Sequence, residues 1–195
     1  MPSRDTAKGA HDAKKGARGA GHDEELRRAR GLIRDVADFP KKGILFRDVT
    51  PLLKDGRALS AIADALAAPW RDRVDVVVGM ESRGFIFGSL LADRLGRGFI
   101  PVRKPGKLPF KTESVSYGLE YGTDQLSIHI DAVTHGERVL ICDDLIATGG
   151  TAAATAQLIE RLGGSVAGFS FVIELQDLAG RKRLGGRPID VLFEM

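Results

Sequence analysis

The sequence runs to 195 residues, 43% hydrophobic and 28% charged, the balance of an ordinary globular protein with one core. Its formal charge of +3 arises in the first 22 residues, where Arg4, Lys8, Lys14, Lys15 and Arg18 face only Asp5 and Asp12; the remainder holds 24 basic and 24 acidic side chains, a neutral body without the footprint of a nucleic-acid binder. The single cysteine, Cys142, excludes an internal disulfide and a multi-cysteine metal site, and no stretch is apolar enough for a secretory signal or a membrane span, so a cytoplasmic location is expected.

Residues 1–22, rich in Gly, Ala and Lys, are expected to form a disordered basic tail ahead of one folded domain over 23–195. Leu26, Ala29, Ile33 and Val36 recur at helical spacing behind Asp23, Glu24 and Glu25, predicting a helix over 23–36. Asp38-Phe39-Pro40 breaks it, a short extended or looped piece covers Gly43–Asp48 and ends at Thr50-Pro51, and a second helix is predicted over 56–67. Strands are predicted at 74–78, 99–102, 125–130, 139–142, 166–173 and 189–193, with helices through Phe85, Leu91 and Leu95 and over 151–162. Residues 103–122, polar and containing Pro105 and Pro109, read as a long mobile loop. Strands alternating with helices imply an α/β fold with a largely parallel, doubly wound sheet. Cys142, beside Leu140 and Ile141, reads as a buried strand thiol.

The segment Val139-Leu140-Ile141-Cys142-Asp143-Asp144-Leu145-Ile146-Ala147-Thr148-Gly149-Gly150-Thr151 carries the chemistry. A strand delivers two acids to the carboxyl edge of the sheet, where ligands sit in doubly wound folds. The turn that follows exposes backbone N–H groups at a helix start, which favours a phosphate. Gly149 and Gly150 permit close approach, and Thr148 and Thr151 add hydroxyl donors. The combination suits a sugar phosphate. A solvent-facing acid pair with Thr151 as a helix N-cap is the simpler alternative. Gly79 and Gly84 have Walker spacing, but Phe85 follows where lysine should, and Gly96-Arg97-Gly98 lacks the third glycine of a dinucleotide site.

That segment resembles the phosphoribosyl pyrophosphate (PRPP) signature of type I phosphoribosyltransferases, and from about Leu32 onward the chain is similar to the adenine-specific branch of that family. The matching blocks are Asp38-Phe39-Pro40, Gly43–Asp48, Glu81–Phe85, Arg103–Pro109 and Leu119-Glu120-Tyr121-Gly122. The resemblance implies a type I phosphoribosyltransferase fold with a small N-terminal hood, and transfer of phosphoribosyl from PRPP to adenine, giving AMP and pyrophosphate. It implies that Ala147, Thr148, Gly149, Gly150 and Thr151 hold the 5′-phosphate, and that Asp143 and Asp144 act catalytically on the ribose. Glu81, Ser82, Arg83, Arg103 and Lys107 would bind pyrophosphate, with Glu81-Ser82 a non-proline cis peptide. Leu45 and Phe46, with Arg83, would take adenine; Glu120 would handle a proton at the base, and Tyr121 would close with its loop. It further implies Mg²⁺ carried mainly by the pyrophosphate, and a homodimer. His129 and His135 are expected to be structural or exposed. Transfer to another purine base and a non-catalytic PRPP-sensing regulator are the competing readings; the regulator has no DNA-binding element to draw on here.

Overall fold

The computed structural model describes residues 21–119 and 122–195. The chain divides into two compact units, one ending at Ile62 and the other running from Ala63 to Met195.

The first unit contains helix α1 over residues 21–31, strands β1 (Arg34–Ala37) and β2 (Leu45–Asp48), helix α2 (Thr50–Lys54) and α3 (Gly56–Ala67), which spans the boundary. The helix expected over 23–36 therefore stops at residue 31. Val36 belongs to a strand because β1 and β2 pair antiparallel with Arg34 opposite Asp48 and Asp35 opposite Arg47. Both opposite-charge pairs form ion pairs, which fix the register through partners that helical periodicity cannot reveal. The Thr50 amide and then the Arg34 guanidinium hold Asp48 down to about 2. A depressed carboxylate contributes its stability above the unfolded value near 3.9, and that contribution fades as pH falls through about 2. α3 begins where predicted because Asp55 Oδ1 accepts the amides of Arg57 and Ala58, a side-chain N-cap.

The second unit is built on a five-stranded, wholly parallel sheet in the order β4-β3-β7-β8-β9. Its strands are β3 (Val76–Met80), β4 (Gly98–Val102), β7 (Arg138–Ile146), β8 (Ser165–Glu174) and β9 (Ile189–Glu194), with α4 (Gly84–Leu95) and α5 (Gly150–Arg161) as crossovers. Five of the six predicted strands form this sheet, the first running over Val76–Met80 rather than 74–78. Side chains alternate across a strand, so Val76, Val78, Met80, Val139 and Ile141 enter one core with α5, while α4 packs on β3 and β7. Cys142 is fully buried, and burial pushes its thiol up.

Residues 103–122 are not a plain loop. β5 (Thr112–Leu119) and β6 (Gly122–His129) form an antiparallel hairpin in continuous register from Thr112↔His129 to Leu119↔Gly122. Val115, Leu126 and Ile128 join the α5 side of the core, and that burial outweighs the polar composition of the stretch. The alternation of Val115, Tyr117 and Leu119 was the available signal.

Because β3 leads to β4 on one side and β7 lies on the other, the strand order reverses at β3/β7. In an open parallel sheet a crevice forms outside the carboxyl ends at such a point.

Candidate active site

The carboxyl ends of β3 and β7 open on a cavity of about 200 Å³. It is lined by Met80 and Arg83 from the β3 side and by the continuous run Asp143–Ala152 from β7 into α5, with Phe171 of β8. Arg83, Asp143, Asp144 and Ala147–Thr151, singled out from sequence, are thus gathered in one place.

The N-cap of α5 is Gly149, which sits in the left-handed region (φ 77°) and makes no side-chain cap. The Thr151 N-cap offered by the simpler reading is absent. The first amides of α5 are therefore left for an anion, helped by the helix dipole. The turn is braced from behind: a Cβ on Gly149 would lie 2.4 Å from the Gly180 carbonyl oxygen, and one on Gly180 would lie 2.3 Å from that of Ala147. Two backbones touch where no side chain fits. Gly149→Ala is accordingly expected to lower the melting temperature by about 4–10 °C, from left-handed strain plus overpacking of roughly 2–3 kcal/mol. Thermal denaturation checks it, and an unchanged midpoint would refute the backbone contact.

Asp144 is 3% exposed. Arg83 Nε stands 2.8 Å from its Oδ2, but off the hydrogen-bond axis, so this oxygen has a charge partner and no aligned donor. Asp143 Oδ1 accepts the Asp144 amide at 2.8 Å. Gly84, at the start of α4, permits this packing, since a Cβ there would meet Asp143 Oδ1 at 2.8 Å. Burial first, and the Asp144 charge second, push the Asp143 carboxyl well above the usual carboxylate range. Burial also raises Asp144, while Arg83 pulls it back. Two adjacent, largely desolvated acids with one cation resist ionising together.

The Glu81-Ser82 peptide is cis, as is Phe39-Pro40. Glu81 accepts the Lys104 amide at 2.9 Å and faces Arg103 at 3.3 Å; Arg103 also donates to the Lys107 carbonyl. Glu81, Arg103 and Lys107 thus form a second cluster, in which Lys107 meets Arg103 through its backbone and Ser82 is exposed. Leu45 and Phe46 lie on β2 in the first unit. Phe46, with Val36, Phe39 and Asp48, lines a separate apolar pocket of about 200 Å³, and Leu45 is exposed. Glu120 and Tyr121 lie outside the described residues.

Several contributors escaped sequence reading. Met80 and Phe171 line the cavity as ordinary strand residues. Gly180 carries no motif, and only the close approach reveals it. Tyr117 on the hairpin places its hydroxyl 3.3 Å from Thr151 Oγ1 and 3.4 Å from Asp124, and Asp124 pairs with Lys104. No helix among the described residues is long and apolar enough to cross a membrane.

The phosphoribosyl transferase domain family matches residues 49–185. Adenine phosphoribosyltransferases of Cyanothece sp. and Nostoc punctiforme are 58% and 56% identical over 166 and 168 residues, each covering 85% of this chain and 98% of the relative. The crystal structure of the Thermoanaerobacter pseudethanolicus adenine phosphoribosyltransferase superposes with a TM-score of 0.85 at 53% identity, over 87% of this chain and 99% of that one. The Saccharomyces cerevisiae enzyme, solved with an imino-altritol bisphosphate and adenine, superposes at 0.83 with 38% identity, over 88% and 99% of the two chains.

Proposed function

Since this chain belongs to the adenine phosphoribosyltransferase branch of the phosphoribosyl transferase family, we propose that it joins adenine to the phosphoribosyl group of PRPP, releasing pyrophosphate and forming AMP. The observation that carries the reading is the joining, in one cavity, of an uncapped helix start and an acid pair, buried Asp144 and half-buried Asp143. The amides and hydroxyls of Ala147–Thr151 take the 5′-phosphate. Asp143 and Asp144 address the ribose hydroxyls.

The bond from C1′ to the pyrophosphate oxygen breaks with its electron pair leaving on pyrophosphate, and the sugar gains oxocarbenium character. Carboxylates at the ribose favour that cation over the neutral ring, which is a gain made in the transition state. The adenine N9 lone pair closes the new bond, and the N9 proton passes to a base, for which Glu120 is the candidate. Arg83, Arg103 and Lys107, with the Glu81-Ser82 turn, receive the leaving pyrophosphate. Leu45 and Phe46 hold the flat face of adenine, and Tyr121 closes over the site. A hard cation such as Mg²⁺ prefers phosphate and water oxygens to an all-protein cage. Mg²⁺ arriving with PRPP would neutralise charge on the leaving pyrophosphate. Residues 23–195 serve as the catalytic domain, in a cytoplasmic homodimer.

The test is incubation with PRPP, Mg²⁺ and adenine, hypoxanthine, guanine or xanthine, following pyrophosphate and nucleotide. AMP from adenine is expected. PRPP binding without turnover on any base would establish the sensor instead.

The tail of residues 1–20 lies outside the described residues, and residues 21 and 22 belong to α1. With no bulky apolar residue after Met1 to place in a core, deletion of 1–20 is expected to leave kcat and the melting temperature unchanged, the latter within about 2 °C. Paired kinetics and thermal melts of the full and shortened chains decide it.

A further inference from the structure

The cavity carries an imbalance of charge. Among the described residues its only lining cation is Arg83, paired with Asp144, against the two acids Asp143 and Asp144. A sugar 5′-phosphate bound at Thr148–Thr151 would bring about two more negative charges and find only neutral donors there. An anion in that position calls for a cation nearby.

Arg183 is that cation in the fold. It lies in the short 3₁₀ turn Gly180–Leu184 after β8. A Cβ on Gly150, the first residue of α5, would stand 3.5 Å from Arg183 Nη1 and 3.5 Å from Tyr117 Cδ2. The guanidinium and the tyrosine ring thus flank the start of the helix. The turn that presents Arg183 is fixed at both ends. Gly180 packs backbone to backbone against the 147–149 turn, and Leu184 is fully buried. Between them Arg181 pairs at 2.6 Å with Glu174, whose carboxylate is almost wholly buried. Arg183 itself is exposed and, among the described residues, has no hydrogen bond or ion pair. Arg181 and Arg187 of the same segment, by contrast, each pair with a carboxylate.

Resting on the phosphoribosyl reading of this cavity, we propose that Arg183 is a substrate-binding residue that grips the 5′-phosphate monoester from the side opposite the helix start. The planar guanidinium offers paired N–H donors suited to a phosphate. It thereby selects a phosphorylated ribose over the bare sugar. Because the 5′-phosphate is unchanged in the reaction, the contact is made equally before and during transfer and acts on binding rather than on turnover.

The test uses the full chain with Arg183→Gln and Arg183→Lys, steady-state kinetics in both substrates, and calorimetric binding of ribose 5-phosphate. Arg183→Gln is expected to raise the KM for PRPP and the Kd for ribose 5-phosphate by about 10–100-fold, the effect of one charge-assisted hydrogen bond. The kcat and the KM for adenine should stay within about threefold. Arg183→Lys should recover part of the loss, which a merely structural role would not do. If the parent chain makes AMP and binds ribose 5-phosphate, but Arg183→Gln does so within about twofold of it, the role of Arg183 is overturned while the proposed function stands. A parent chain that does neither overturns both.

Discussion

Asparagine in place of Asp143 lowers kcat by about 10²–10³, the loss expected for one preorganised electrostatic contact to the transition state, and at the same time raises the melting temperature. The two effects share a cause. Burial and the neighbouring Asp144 charge raise the Asp143 carboxyl above its unfolded value, so between those values the folded chain binds the extra proton. Stability from this group is therefore full below about pH 4 and declines as pH rises through the folded value. Above that folded value the ionised pair works against the fold, and an amide at position 143 relieves it while still accepting the Asp144 amide. A gain of about 2–4 °C is expected, corresponding to roughly 1 kcal/mol in a domain of this size. Asp144→Asn should match the loss of turnover without the gain in stability, since it also dissolves the Arg83 ion pair. The acid limb of the parent pH–rate profile should flatten in either variant. Normal turnover in the double asparagine variant would sink the assignment of these acids.

For the base, the expected kcat/KM for adenine exceeds that for hypoxanthine by about 10⁴ or more. The two rings have similar flat faces but differ where an amino donor replaces a carbonyl acceptor, and a site built to accept from the amine leaves groups unpaired against the carbonyl. Stacking supplies affinity without that choice. Phe46 is half-buried, meets Phe39 edge to face at 5.1 Å, and shares an apolar pocket with Val36 and Asp48. Phe46→Ala should raise the KM for adenine by about tenfold or more through lost apolar contact, while leaving the preference among bases largely intact. Comparing kcat/KM for adenine, hypoxanthine and guanine in both proteins checks both statements. Similar values for the three bases in the parent would leave a phosphoribosyltransferase of another specificity.

The parallel sheet was legible because each strand is a short apolar run between helical periods, and because the acids of β7 stand directly before a Gly-Gly turn. What stayed hidden depends on residues distant in sequence. Val36 continues the spacing of Leu26, Ala29 and Ile33, yet cross-strand partners at Phe46 and Asp48 draw its segment into β1. The hairpin was masked by the polar and proline content around it, although Val115 and Tyr117 alternate; its other half supplies the burial that decides the matter. In the site, the motif residues declared themselves, whereas Gly180 and Arg183 did not. A glycine and an arginine in a basic run look like surface, and only their approach to residues 147–150 distinguishes them.

The reversal of strand order at β3/β7 also orders the folding of the chain. β3 pairs with β4, and β7 with β8, across connections of about 20–30 residues, whereas the seam from Val76 to Val139 closes a loop of about 60. Longer closures carry the larger entropic barrier, so the two halves of the sheet can form locally before they meet. Arg83 belongs to one half, and Asp143 with its phosphate turn to the other. The cavity does not exist until the seam has zipped, which makes recovered catalysis a stricter clock of renaturation than recovered helix or strand content.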